Sequence, residues 1–241
     1  MNNKYQAIHG DLSKRVVVDT QAMSWSPSPA NKVWRKRLHQ VGPGESGQVT
    51  SIVRYEPGAR FHKHDHPEGE EILVLEGVFS DEQGDWPAGS YLLNPEGFCH
   101  APWSETGCTL FVKLRQFPGH DRERVAIQTR DQAWQSSVRR SVQWQKLYAQ
   151  DPYTDFMRLE AWDSPDEMGQ INFPQGAEVL VIKGSFSDEN GHYGTHSWLR
   201  IPAGGLLNPI SDDYCEVYIK EGGFSYLREA LDTVSAEAAA E

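Results

Sequence analysis

Three histidines and three glutamates crowd into residues 61–71: His62, His64, His66, Glu70 and Glu71 stand around the tripeptide Pro67-Glu68-Gly69, which holds the third glutamate. In an extended strand alternate side chains share a face, so the rings of His64 and His66 point the same way. The tripeptide reads as a turn, and Glu70 opens the next strand, Glu-Glu-Ile-Leu-Val-Leu-Glu. His100 follows thirty residues later, behind Asn94-Pro-Glu-Gly-Phe-Cys. Two imidazoles, a carboxylate and a distant third imidazole suit zinc, iron, manganese, copper or nickel.

Such groups must be carried by strands. The 21 glycines and 14 prolines, scattered between short apolar runs, favour many tight turns and an all-β fold. The 241 residues allow one large domain or two of about half that length, each able to bury a core. A repeat selects two. Shifted by 107, residues 64–113 align with 171–220 without a gap, and 19 of the 50 positions are identical. Upstream, Thr50 and Arg54 match Thr154 and Arg158 at a shift of 104, which implies a three-residue insertion before 171. The boundary is expected at Pro118-Gly-His-Asp-Arg122, giving domains 1–118 and 119–241. Residues 16–18 suit a strand, and 230–241 read as helix-prone or frayed. At every candidate ligand the copies differ: His64 meets Ile171, His66 Phe173, Glu70 Ala177 and His100 Leu207. The second copy is therefore expected to hold hydrocarbon where the first holds a metal. A rival site would use His192 and His196, in a loop-like segment.

The spacing Gly58-x5-His64-x-His66-x3-Glu70-x6-Gly77 resembles the first cupin motif. Gly89-x5-Pro95-x-Gly97-x2-His100 resembles the second, with Ser104 where asparagine is usual. The wording around Glu70–Glu82 and Gly107–Leu114 is similar to the ChrR-like cupins, strongly over about residues 15–118. The resemblance implies two tandem jelly-roll barrels, with His64, His66, Glu70 and His100 as metal ligands. One divalent transition metal per chain is expected, zinc or iron first, with manganese, nickel and copper as alternatives. A homodimer is the family habit.

Around that set, Glu71 alternates away from Glu70, toward solvent or a neighbouring strand. His62 alternates toward His64 and stands as a fifth ligand, a substrate contact or a plain barrel residue. Phe98, Trp103 and Tyr91 are aromatic candidates for a substrate pocket, against a background in which small barrels bury aromatics anyway. Arg60 and Lys63 flank the motif, with Lys63 outward, and no arginine or lysine can be placed inside the barrel. Cys99, Cys108 and Cys215 have no CxxC spacing.

A formal charge of −11 disfavours contact with nucleic acid. No apolar stretch nears membrane-span length and residues 1–10 lack a signal-peptide core, so a reduced, cytoplasmic protein is expected. Two functions fit. Six-coordinate iron would leave two positions for dioxygen and a chelating small molecule, making a non-haem dioxygenase. Four-coordinate zinc would close its shell, making a sensor or transcriptional regulator that acts through a partner protein. Against the regulator, anti-sigma factors of this resemblance carry an N-terminal zinc-binding His-x3-Cys-x2-Cys motif, absent here, so sigma-factor binding is doubtful.

Overall fold

The computed structural model describes residues 6–163 and 168–230. Most of the stretch read as helix-prone or frayed, from 231 onward, lies outside them. Two large antiparallel sheet bodies carry the chain, one of ten strands and one of eight. Each is supplemented by a two-stranded ribbon: His64–Asp65 with Cys99–His100 in the first half, Ile171–Phe173 with Gly205–Leu207 in the second. Among the described residues no helix is long and apolar enough to cross a membrane.

Alternation along the central strands builds three cores. In the strand Glu70–Asp81, Ile72 and Val74 face the interior of the first barrel, with Val33, Val53, Leu92 and Leu110. Leu73 faces the other way, toward Tyr91, Phe111, Leu180, Trp198 and Tyr218, a cluster drawn from both halves. The second barrel's interior holds Trp162, Ile171, Phe173, Phe186 and Leu207. Strands buried on both faces explain the unbroken apolar runs in the sequence.

The sheets do not divide where the repeat does. The strand Val125–Gln128 lies beyond residue 118 yet pairs with Ser90–Asn94 of the first sheet. Val16–Asp19 pairs with Ser197–Ile201 of the second. Each half thus lends its first strand to the other, covering an edge that would otherwise be open. The three-residue insertion is also corrected. Tyr55 pairs with Cys108, and Trp162 with Cys215, so the shift of 107 runs unbroken through the strands Gln48–Tyr55 and Phe156–Asp163. The match at 104 rested on similar residues, not on shared register.

Between the barrels lies a buried polar network. Glu71 does point away from Glu70, but into this interface rather than to solvent. It accepts hydrogen bonds from the hydroxyls of Tyr91 (2.7 Å) and Tyr218 (2.8 Å). Its repeat counterpart Glu178 accepts two bonds from Arg200, at 2.9 and 3.2 Å, and pairs with Lys113. Burial pushes the Glu71 carboxyl up and the Lys113 and Lys220 amines down.

Candidate metal centre

The ligand ribbon is a matter of register. His64 sits directly opposite His100 across the strand pair. The next segment is folded back by hydrogen bonds from the His66 amide to the Phe98 carbonyl (2.9 Å) and from the Gly97 amide to the His66 carbonyl (3.1 Å). The turn then needs left-handed backbone at Glu68 and Gly69 (φ 58° and 72°). A Cβ on Gly69 would come within 2.9 Å of Phe117 Cβ, so the motif glycine there is steric as well as conformational.

These constraints bring three imidazoles together, with ligand atoms all within 4.8 Å of one another. His66 Nε2 lies 2.9 Å from His100 Nε2, and Glu70 Oε2 lies 3.4 and 3.5 Å from the two. Two donors about 2.1 Å from a shared transition metal lie roughly 3.0 Å apart at an octahedral right angle and roughly 3.4 Å apart at a tetrahedral one. The edges among His66, His100 and Glu70, 2.9 to 3.5 Å, lie close to that range. The tautomers agree as well. His100 Nδ1 donates to Asp81 Oδ2 at 3.2 Å and His64 Nδ1 to the His62 carbonyl at 2.8 Å, leaving both Nε2 lone pairs for a metal. Asn94 donates to Glu70 Oε2 at 3.0 Å and fixes that carboxylate. Burial lowers the pKa of His66, keeping it a neutral donor. Burial acts the same way on His100, but the Asp81 bond and the Glu70 charge outweigh it and raise that pKa. The residues fit a metal.

Asp81 holds the His100 ring and is a residue that the spacing did not flag, although Phe-Ser-Asp-Glu recurs in both repeats. In the second barrel its counterpart Asp188 holds Tyr193 (2.7 Å) and Arg15 instead. Replacing Asp81 by asparagine should weaken metal affinity about 10- to 100-fold, read by competition with a chromogenic chelator. An unchanged affinity would show that His100 needs no such partner.

His64, His66 and Glu70 open on a cavity of about 320 Å³ inside the barrel. None of the four pocket candidates lines it. The His62 side chain is exposed, and the residue serves through its carbonyl, because residues 61–63 are not a regular strand. Tyr91 is fully buried on the inter-barrel side. Phe98 packs on the outer side of His100 with ring centres 5.3 Å apart, and the Arg124 guanidinium lies over it at 4.9 Å. Trp103 stands beside Arg60 at 5.8 Å. The aromatic walls are Tyr55, Phe61 and Phe79, with Val53, Ile72 and Leu110. Two arginines, Arg35 and Arg115, also line the cavity, correcting the expectation of no basic residue inside. Lys63 is exposed as expected.

In the second barrel Ile171 stands opposite Leu207 in the register of His64 and His100. These residues, with Phe173 and Ala177, are buried, which fills the equivalent place with hydrocarbon. His192 is exposed and contacts Ser187; among the described residues neither it nor His196 belongs to a metal-ligating group. Burial pushes the Cys108 thiol up to about 11, an unreactive state.

Paired jelly-roll barrels with a histidine cluster inside one of them define a bicupin. The chain belongs to the ChrR cupin-like domain family, whose model matches residues 13–118 and again 122–225. No curated protein sequence matches it. Among solved structures it is similar to a candidate dioxygenase from Nostoc punctiforme (TM-score 0.73, 15% identity, 92% of this chain and 86% of that one). The Escherichia coli pirin YhhW in complex with nickel(II) is another (0.66, 14%, 87% and 99%). A deletion variant of Bacillus subtilis oxalate decarboxylase is a third (0.58, 14%, 89% and 78%). At these identities the likeness is one of fold.

Proposed function

We propose that the chain is a metal-dependent dioxygenase acting on a small chelating organic molecule, with one divalent transition metal per chain held by His64, His66, Glu70 and His100. The observation that carries this reading is the chamber: His64, His66 and Glu70 line a substrate-sized cavity in the first barrel, while the second fills the same volume with Ile171, Phe173 and Leu207. A purely structural ion would need no such space.

Bound there, the metal would bring dioxygen and a chelating substrate side by side. The protein's own part is to hold and to exclude. Asp81 and the His62 carbonyl fix the His100 and His64 rings, so the donor atoms need no reorganisation on binding. Phe61, Phe79, Val53 and Leu110 shield the chamber from water and strengthen the polar contacts inside it. Burial, with the nearby Glu70 charge, holds the Tyr55 hydroxyl protonated well above its ordinary range. Tyr55 also lines the chamber, and its protonated hydroxyl is available to donate to a substrate oxygen.

Elemental analysis of untagged protein, purified without chelator under low oxygen, tests the reading. About one iron per chain, with oxygen consumption on adding chelating substrates, supports it. One tightly held zinc and no oxygen consumption would overturn it and favour a zinc sensor acting through a partner protein. Two metals per chain would contradict the filled second barrel.

A further inference from the structure

The strand Cys108–Leu114 alternates cleanly: Leu110, Val112 and Leu114 line the metal cavity, while Phe111 and Lys113 face the second barrel. By that rule Arg115 should face the second barrel too. It does not, because its backbone is left-handed (φ 61°), and Leu114 and Arg115 both line the cavity. An L-residue other than glycine, asparagine or aspartate rarely takes this conformation, and such outliers gather at functional sites. The main chain locks it in place: the Arg115 amide donates to the Gly69 carbonyl at 2.9 Å, and its carbonyl accepts from Gln48 Nε2 at 2.6 Å. Among the described residues the guanidinium itself has no hydrogen-bonding or ion-pairing partner, and it is only half buried.

The second barrel supplies the contrast. At the repeat shift of 107, Arg115 falls on Gly222, also left-handed (φ 74°), where the conformation is free of strain. Arg35, the other cation of the cavity, corresponds by strand register to Trp144. Both arginines are thus missing from the barrel that lacks the ligands. The metal cavity is lined by two cationic side chains, Arg35 and Arg115, and two anionic ones, Glu70 and Asp65. A divalent ion added to that lining leaves positive charge in excess, which a bound anion would neutralise.

From this we infer that the ligand of the cavity is a small organic carboxylate, whose anionic group is held by the Arg115 guanidinium while the molecule reaches the metal ligands. The inference rests on the proposed role of the same site and names its substrate class. Arg115 would act as a specificity-determining residue, because a planar guanidinium matches a carboxylate with two parallel hydrogen bonds.

The test uses the iron(II)-loaded full chain kept anaerobic, in which two coordination positions stay open and no oxidation runs, and a pair of probes of equal size. These are 2-oxobutanoate, which is anionic, and 2,3-pentanedione, which is neutral. Titration calorimetry should show R115G weakening 2-oxobutanoate about 10- to 100-fold, with the diketone changed less than about twofold on the same argument. Glycine suits the left-handed backbone, so R115G should fold and keep its metal; R35Q provides a second, more buried variant. Equal effects on the two probes, no effect on either, or no binding of 2-oxobutanoate to the unaltered protein would overturn the inference. The two readings fail separately. Oxygen consumption by iron-loaded protein on neutral chelators, with R115G binding unaltered, would sink the carboxylate and leave the dioxygenase. Carboxylate selection by Arg115 without oxygen consumption on any chelator would do the reverse.

Discussion

A His66→Ala chain, purified beside the unaltered protein, is expected to retain less than about a tenth of a metal equivalent. His66 is buried, and its Nε2 lies 2.9 Å from His100 Nε2 and 3.4 Å from Glu70 Oε2. Loss of an orienting partner alone costs 10- to 100-fold in affinity, so loss of a coordinating atom costs more. The fold should survive the change. The second barrel closes in the same register, with Ile171 opposite Leu207, and needs no ligand set to do so. Metal content by mass spectrometry should therefore collapse while the far-ultraviolet circular dichroism spectrum stays as it was. A variant that kept a full equivalent would refute the ligand assignment. A variant that lost its β-sheet signal would show the metal to be structural, against the second barrel's example.

The other large effect concerns stability. Glu178→Leu removes the carboxylate shared by Arg200 and Lys113, both wholly buried between the barrels. Breaking a buried pair from one side strands an uncompensated charge and costs about 3–5 kcal/mol. For a chain of this size that corresponds to a fall of very roughly 6–20 °C in melting temperature. Lys113→Met should cost much less, because Glu178 keeps its two bonds from Arg200, at 2.9 and 3.2 Å, and Lys113 is already disfavoured as a charge by burial. Thermal unfolding of the two variants reads the difference directly. Equal losses would mean that Arg200 does not sustain Glu178. No loss from Glu178→Leu would mean that the network relaxes toward water.

Much of the candidate site was legible because it is local. His64, His66 and Glu70 lie within a short strand, one turn and the start of a long strand, and His100 is fixed opposite His64 by a ribbon whose glycines and prolines are visible in the chain. Alternation correctly sent Glu70 and Glu71 to opposite faces, and the repeat put Ile171, Phe173, Ala177 and Leu207 at the ligand positions of the second barrel. Local rules ran out where a residue's surroundings come from distant segments. Glu71 was read as facing solvent or a neighbouring strand; Tyr91 on the paired strand bears out the second, but nothing near it in sequence announces Tyr218, which lies 147 residues away. Tyr91, Phe98 and Trp103 were marked as pocket residues for being aromatic and close to the motif. Which side of the sheet each occupies depends on how the two barrels pack.

The sequence by itself determined the all-β bicupin, the repeat and the identity of the four ligand-type side chains, since periodicity and motif spacing are properties of short segments. Only the tertiary structure decided the exchange of first strands between the sheets, the buried charges between the barrels, Asp81 behind His100, and the turn of Arg115 into the cavity. Those features depend on long-range pairing and on a single left-handed residue, and neither leaves a periodic trace in the chain.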